Sequence, residues 1–168
     1  MKRVAFIIII VHLLSLSCFG QKEEPIRKEL EILKPFIGKI WDREIPTADG
    51  KNSLHFLCKF ESMYNGNILK YSSECKEVNF RVEGYFYYDP DKKEIAFFTL
   101  ANNGNINVGN VRSENNMIVE NGNTILAERK LQFRVTFEVI SNGDIIDKSY
   151  RLDNGEWKAG PSTTWKAK

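Results

Sequence analysis

Hydrophobic and polar residues alternate along much of the chain after residue 40. In segment 54–60 nearly every second residue is apolar, while His55 and Lys59 occupy the other positions. Segment 133–139 repeats this pattern. Because successive side chains of a β-strand point to opposite faces of the sheet, the alternation predicts strands with one buried and one solvated face.

Turn signals separate these strands. Asn and Asp tolerate positive backbone φ and Gly adopts it freely, so Asn-Gly and Asp-Gly pairs fit tight hairpin turns. We predict about ten strands in up-and-down order, closed into an antiparallel β-barrel because closure leaves no exposed strand edge. A two-layer sandwich is the alternative. The pairs are Asp49-Gly50, Asn65-Gly66, Asn103-Gly104, Asn121-Gly122, Asn142-Gly143 and Asn154-Gly155.

One segment, Pro25 to Phe36, has helical rather than strand periodicity. Ile26, Leu30 and Leu33 recur at helical spacing, with charged residues between them. Pro25 suits the first helical position, and Gly38 can end the helix in a left-handed conformation. The sequence therefore predicts an all-β domain with one short N-terminal helix.

Residues 1–20 have the pattern of a cleavable signal peptide. A positive start precedes an apolar run that is too short to span a bilayer, and small residues follow it. Cleavage after Gly20 would release a domain of residues 21–168, with a polar leader at Gln21–Glu24, into the periplasm or the medium. The alternative is cleavage before Cys18 with a lipid on its thiol, giving an outer-membrane lipoprotein. We predict no transmembrane segment.

The charge balance argues against nucleic-acid binding. The whole sequence has 24 Lys and Arg against 22 Asp and Glu, and removal of Lys2 and Arg3 with the signal leaves 22 of each. A chain with no net charge and interspersed signs lacks the concentrated positive surface that a phosphate backbone needs.

The predicted mature sequence lacks the usual patterns of catalytic and metal sites. His55 is the only histidine after residue 20, and the alternation places it on the solvated face of its strand. It is therefore a poor candidate for a general base, a zinc ligand or an axial haem ligand. Zinc-site spacings and glycine-rich phosphate loops are also missing. We expect neither enzymatic activity nor a cofactor.

Three short motifs resemble those of uncharacterised bacterial lipocalin-like, or calycin-type, β-barrel proteins. They are the helix-Gly-Trp segment Phe36–Trp41, the hairpin Asn65–Leu69 and the glycine-aromatic strand Gly84–Asp89. The resemblance implies a barrel whose interior binds a small hydrophobic or amphiphilic ligand. The alternative is a solid barrel that acts through its surface, as a cell-envelope interaction or structural module.

Aromatic strands and one lysine supply candidate ligand-binding residues. A two- or four-residue loop at Asn142-Gly143 would pair Phe137 with Lys148 and gather nearly all large apolar residues of the hairpin on one face. Lys148 would then point inward and could anchor a ligand carboxylate. Alternatively, its stem covers apolar surface while the amine reaches water. A three-residue loop would instead turn Asp147 inward. The candidates are Tyr71, Phe86, Tyr88, Phe137, Lys148 and Tyr150.

Cys58 and Cys75, the two cysteines after residue 20, predict one disulfide in an oxidising compartment. A two-residue turn at Asn65-Gly66 would place Cys58 opposite Ser73, whereas a four-residue loop would place it opposite Cys75. Both loops put the two cysteines on one face of adjacent strands, where a bond can form if the Cα atoms lie within about 7 Å.

Overall fold

The computed structural model describes residues 25–47, 50–126 and 129–168, which form one short helix and ten strands. The helix spans Lys28–Phe36, and the strands are β1 Ile40–Pro46, β2 Ser53–Met63, β3 Ile68–Cys75, β4 Phe80–Asp89, β5 Glu94–Ala101, β6 Ile106–Glu114, β7 Met117–Leu126, β8 Arg129–Val139, β9 Ile145–Asp153 and β10 Glu156–Ala167. Each strand pairs antiparallel with its neighbours in sequence, and β1 also pairs with β10. The closed up-and-down barrel predicted from the sequence is therefore confirmed.

Several predictions concern residues outside this described part of the chain. They are the signal peptide of residues 1–20, the lipid anchor at Cys18 and the polar leader Gln21–Glu24. Within the described ranges, none of the helical structure is both long and apolar enough to span a membrane.

The N-terminal helix is a 3₁₀ helix, in which residues three apart lie on one face because each turn takes three residues. Leu30, Leu33 and Phe36 have this spacing, and all three are buried. The Phe36 ring packs against the rings of Phe60 and Phe137, with centroid distances of 4.9 and 5.3 Å. The helix thus plugs one end of the barrel with its apolar face.

The helix begins later than predicted, at Lys28 rather than Pro25. The preceding segment is held by the β2–β3 turn. The Ser62 hydroxyl donates to the Pro25 carbonyl at 2.7 Å, and the Arg27 N–H donates to the Gly66 carbonyl at 3.0 Å. Gly38 has a φ of 75°, the left-handed conformation that the sequence predicts after the helix.

One of the predicted turn pairs is not a turn. Asn121-Gly122 lies within β7, and the β6–β7 turn is instead formed by Asn115 and Asn116, whose φ angles are 48° and 64°. A Cβ on Gly122 would lie 2.5 Å from the Val108 carbonyl oxygen. Gly122 is therefore required by close packing between strands rather than by chain reversal.

The β8–β9 hairpin differs by one residue from the predicted register. The Ile140 N–H donates to the Asp144 carbonyl at 3.0 Å, which leaves a three-residue loop, and Phe137 faces Asp147 instead of Lys148. Since a shift of one residue exchanges the two faces of a strand, Asp147 is buried on the inner face and Lys148 is exposed on the outer face. The predicted inward position of Lys148 is wrong.

The predicted disulfide is also wrong, because Cys58 and Cys75 are both buried free thiols. The β2–β3 pair has the register of a two-residue turn, with Cys58 facing Ser73. Cys75 is then diagonal to Cys58, and diagonal residues lie about 7–8 Å apart, beyond the usual reach of a disulfide. Instead, the Cys58 Sγ lies 3.3 Å from the Ser73 Oγ and the Cys75 Sγ lies 3.4 Å from the Glu77 carboxylate.

The seam that closes the barrel is short. β1 and β10 are registered over three residue pairs, from Trp41–Ala167 to Arg43–Trp165, whereas β1 and β2 are registered over seven. A bulge between Ala159 and Ser162 also interrupts the pairing of β10 with β9. The registered pairing of β1 with β10 therefore ends at Arg43, although β1 continues to Pro46.

Candidate functional site

The interior of the barrel contains a partly open cavity of about 370 Å³, within the range of small-molecule sites. Phe60, Phe137 and Trp165, which contact Phe36 of the plug, form part of its wall. Nine of the lining residues are aromatic and eight are polar or charged, and the polar ones come from several strands. The lining residues are Arg43, Phe56, Phe60, Tyr71, Ser73, Phe80, Val82, Phe86, Phe97, Thr99, Asn107, Glu120, Thr124, Phe133, Val135, Phe137, Asp147, Ser149 and Trp165.

A buried ion pair crosses the seam beside the cavity. Asp147 of β9 is almost completely buried, and its Oδ2 accepts a hydrogen bond from Nη2 of Arg43 at 2.8 Å. Thr163 of β10 accepts from Nε of Arg43 at 2.8 Å and donates its hydroxyl to the Asp147 carboxylate. The guanidinium also lies over the Trp165 ring, 5.6 Å from its centroid. Asp147 can be buried because its charge is paired and hydrogen-bonded.

Glu120 presents a second, different carboxylate to the cavity. It lies on the inner face of β7, and its register partners on β6 and β8 are Val111 and Val135. No group of the described residues donates a hydrogen bond to it. Glu120 retains partial exposure, but its removal from bulk water raises its pKa to about 7; the positive charge of Arg43 opposes this rise, and the negative charge of Asp147 adds to it.

The neutral polar groups of the wall have partners within the protein. The Thr124 hydroxyl donates to the Asn107 side-chain oxygen at 2.7 Å, and the Asn107 amide donates to the Thr99 hydroxyl at 3.1 Å. The Tyr71 hydroxyl lies 3.8 Å from the Cys58 Sγ, and burial raises the pKa of Tyr71 well above its usual value. Glu120 therefore stands apart from these groups as a wall carboxylate without a hydrogen-bond donor.

Three of the six predicted ligand-binding residues, Tyr71, Phe86 and Phe137, line this cavity. Tyr88 is outside the lining, at the end of β4, where the Arg27 guanidinium lies 5.0 Å from its ring centroid.

Lys148 and Tyr150 lie on the outer face, opposite Thr136 and Arg134. The carboxylate anchor predicted from Lys148 is therefore absent from the interior. His55 is exposed on the outer face, as its alternating position predicts, with Nδ1 3.1 Å from Oδ1 of Asp42.

Three other depressions are larger. The first, of about 440 Å³, is lined in part by Phe56 and Phe80, which also line the interior cavity, and the other two lie on the outer surface. One, of about 430 Å³, is lined by charged residues of β2, β3 and β4, including Lys59, Glu74 and Arg81. The other, of about 500 Å³, lies beside Asp42 and His55 near the seam. Neither has the aromatic lining of the interior cavity. Across residues 25–47, 50–126 and 129–168, no cluster of three His, Cys, Asp or Glu side chains could hold a metal ion.

Comparison with known proteins identifies a fold relative but no family. No protein-family model matches the chain, and no curated protein matches it. Among solved structures, the crystal structure of Rv2717c from M. tuberculosis is similar, with a TM-score of 0.56 and 13% sequence identity. The match covers 85% of this chain and 99% of that chain. At this identity it shows that the two proteins share a fold.

Proposed function

We propose that this protein binds a small apolar or amphiphilic molecule inside its barrel. The observation that carries the proposal is the cavity of about 370 Å³, whose lining combines nine aromatic side chains with eight polar or charged ones. Ligand sites commonly combine an apolar wall, which contributes most of the binding free energy, with a few polar groups that orient the ligand.

The location proposed for this activity is outside the cytoplasm. The signal-peptide pattern of residues 1–20 supports it, whether the mature chain is released or held by a lipid at Cys18. A barrel with its binding site in the interior suits such a role, because the ligand is shielded from water while the charged outer face keeps the carrier soluble.

A second candidate function is association with another protein through the outer face. Phe98 and Leu100 of β5 and Tyr87 of β4 are exposed there, with 42%, 53% and 38% of their surface accessible. Exposed apolar groups of this kind favour protein contacts. The interior cavity carries more weight, because it lies inside the barrel and combines aromatic and polar groups.

The proposal is tested with N-phenyl-1-naphthylamine, a neutral fluorophore whose emission rises in an apolar site. We expect saturable binding to the protein at one site per chain. Val135→Trp should weaken that binding at least about tenfold, since the larger ring occupies cavity volume. Glu138→Trp adds the same side chain at an exposed position of the same strand and should leave affinity unchanged.

Circular dichroism and thermal unfolding establish that each variant is folded, and Val135→Phe replaces Val135→Trp if the larger residue prevents folding. Equal binding by the parent and a folded cavity-filling variant would contradict the interior site. No saturable binding by the parent would favour the surface function instead.

A further inference from the structure

The charges that line the cavity do not balance. Among the described residues of the lining, three are charged: Arg43, Asp147 and Glu120. Arg43 and Asp147 neutralise each other through a 2.8 Å ion pair, which Thr163 supports from β10. When Glu120 is ionised, it is therefore the uncompensated charge of the interior.

The described residues around Glu120 supply neither a hydrogen-bond donor nor an unpaired cation to balance its charge. Its neighbours across the sheet, Val111 and Val135, offer no donor. Arg43, the one cation in the lining, already donates to Asp147 and Thr163. Because an ionised group that is partly removed from water is costly without a partner, a bound molecule that supplies a positive donor and excludes the remaining water would gain most from this position.

The aromatic lining independently favours a cation. Phe97, Phe133 and Phe137 line the same cavity as Glu120, and the faces of aromatic rings carry partial negative charge. An ammonium group held near these rings gains cation–π attraction in addition to its ion pair. A carboxylate would meet the same faces and the charge of Glu120 unfavourably.

We propose that Glu120 anchors a cationic amine, so that the barrel selects apolar amines among the small molecules that fit its cavity. This inference rests on the proposed interior site. The amine would donate to the Glu120 carboxylate while its apolar body packs against the rings of the wall.

The proposal predicts pH-dependent binding. The titratable and charged groups that share the cavity with Glu120 are Arg43 on β1, Tyr71 on β3 and Asp147 on β9. Burial holds the pKa of Glu120 near 7, so the carboxylate is ionised above neutral pH and protonated below it. An amine that needs the ionised form should bind about 30-fold more weakly at pH 5.5 than at pH 8.

The experiment compares three probes with one ring system: 1-naphthylmethylamine, 1-naphthalenemethanol and 1-naphthoic acid. Isothermal titration calorimetry at pH 8 should rank the amine at least about tenfold tighter than the alcohol, with the acid weakest. Glu120→Gln should remove the preference for the amine and leave alcohol binding nearly unchanged. Glu138→Gln, which removes an exposed carboxylate from the outer face, is the matched control and should retain the preference.

Stability measurements show whether a variant loses binding only because it is destabilised. The folded state raises the pKa of Glu120 above its ordinary value, so this residue favours folding at low pH and opposes it as the pH rises through 7. Glu120→Gln should therefore unfold at a higher temperature than the parent at pH 8. A loss of amine binding in this more stable variant is then caused by the missing charge.

The outcomes separate this inference from the proposed function. If the alcohol and the amine bind equally and Glu120→Gln changes neither, the interior site stands and the amine anchor is wrong. Tightest binding of 1-naphthoic acid would also overturn it and point to Arg43. If none of the three probes binds at millimolar concentration, both the interior site and the amine anchor are wrong.

Discussion

Asp147 connects three strands at the point where the barrel closes. Its carboxylate, on β9, accepts hydrogen bonds from Arg43 of β1 and Thr163 of β10. The side chain is almost completely buried, whereas Arg43 retains partial exposure. One carboxylate therefore both neutralises a cation in the interior and links the first strand to the last two.

Replacing Asp147 with Asn should destabilise the protein. The amide keeps the shape of the side chain but leaves the Arg43 charge without its partner, which costs about 2–4 kcal/mol of unfolding free energy for a pair with one partly exposed member. Urea denaturation measures the change. Asp153→Asn, at an exposed position of the same strand, is the control and should stay within about 0.5 kcal/mol of the parent. Equal stability of the two variants would contradict the structural role of the ion pair.

Individual inner-face residues could be predicted only where local patterns determine them. Tyr71, Phe86 and Phe137 follow from the alternation of apolar residues. Asp147 does not, because the sequence around Asn142-Gly143 fits loops of two, three or four residues and hydrophobicity favours the wrong one. The partner that makes an inward aspartate acceptable, Arg43, lies on another strand far away in the sequence. Glu120 was missed because no local pattern distinguishes an inward carboxylate from a solvated one.

The N-terminal helix was predicted correctly, but the sequence pattern did not predict its 3₁₀ geometry. The recurrence of apolar residues predicts a helix, and the structure confirms it with 3₁₀ rather than α geometry. Leu30, Leu33 and Phe36 are spaced by three, so three residues per turn align them in one narrow buried row, whereas an α-helix would spread them over about 120°. The Trp41 indole N–H donates to the Phe36 carbonyl at 2.9 Å and so gives the last carbonyl of the helix a hydrogen-bond partner. The spacing of the buried residues therefore suits the 3₁₀ geometry.

Leu33→Ala tests how much this plug contributes. The side chain is fully buried between the helix and the barrel, so its truncation should lower the unfolding free energy by about 2–5 kcal/mol. Lys34→Ala, on the exposed side of the same helix, should change it by less than about 0.5 kcal/mol. Chemical denaturation gives both values. A Leu33→Ala variant as stable as Lys34→Ala would show that the helix is not part of the cooperative core.

The topology of the barrel was more predictable than its site, because each connection between consecutive strands is local and needs only a turn and an alternating pattern. The closure is different. β1 and β10 meet over three residue pairs, and no turn sets their register. The alternation therefore predicts that a barrel forms but does not specify how the seam is paired or which side chains meet there.

The short seam should open before the rest of the barrel. In native-state hydrogen exchange, amides of the seam, including the Lys168 N–H that donates to the Ile40 carbonyl, should exchange through a local opening of lower free energy than global unfolding. Peptides from β2 and β3, which pair over seven residue pairs, serve as the internal reference. Seam and reference amides with the same opening free energy would contradict this expectation.

Closure by the first and last strands also orders events during synthesis. Phe36 and Arg43 leave the ribosome well before their partner Trp165, which lies on β10. Neither the plug nor the seam can reach its final environment until β10 has been made. The pairing of β1 with β10 joins residues that are far apart in the sequence. The chain therefore loses the entropy of closing a long loop before the contacts of the seam stabilise it. The local hairpins between β2 and β9 can form earlier, but the barrel closes only after β10 has been made.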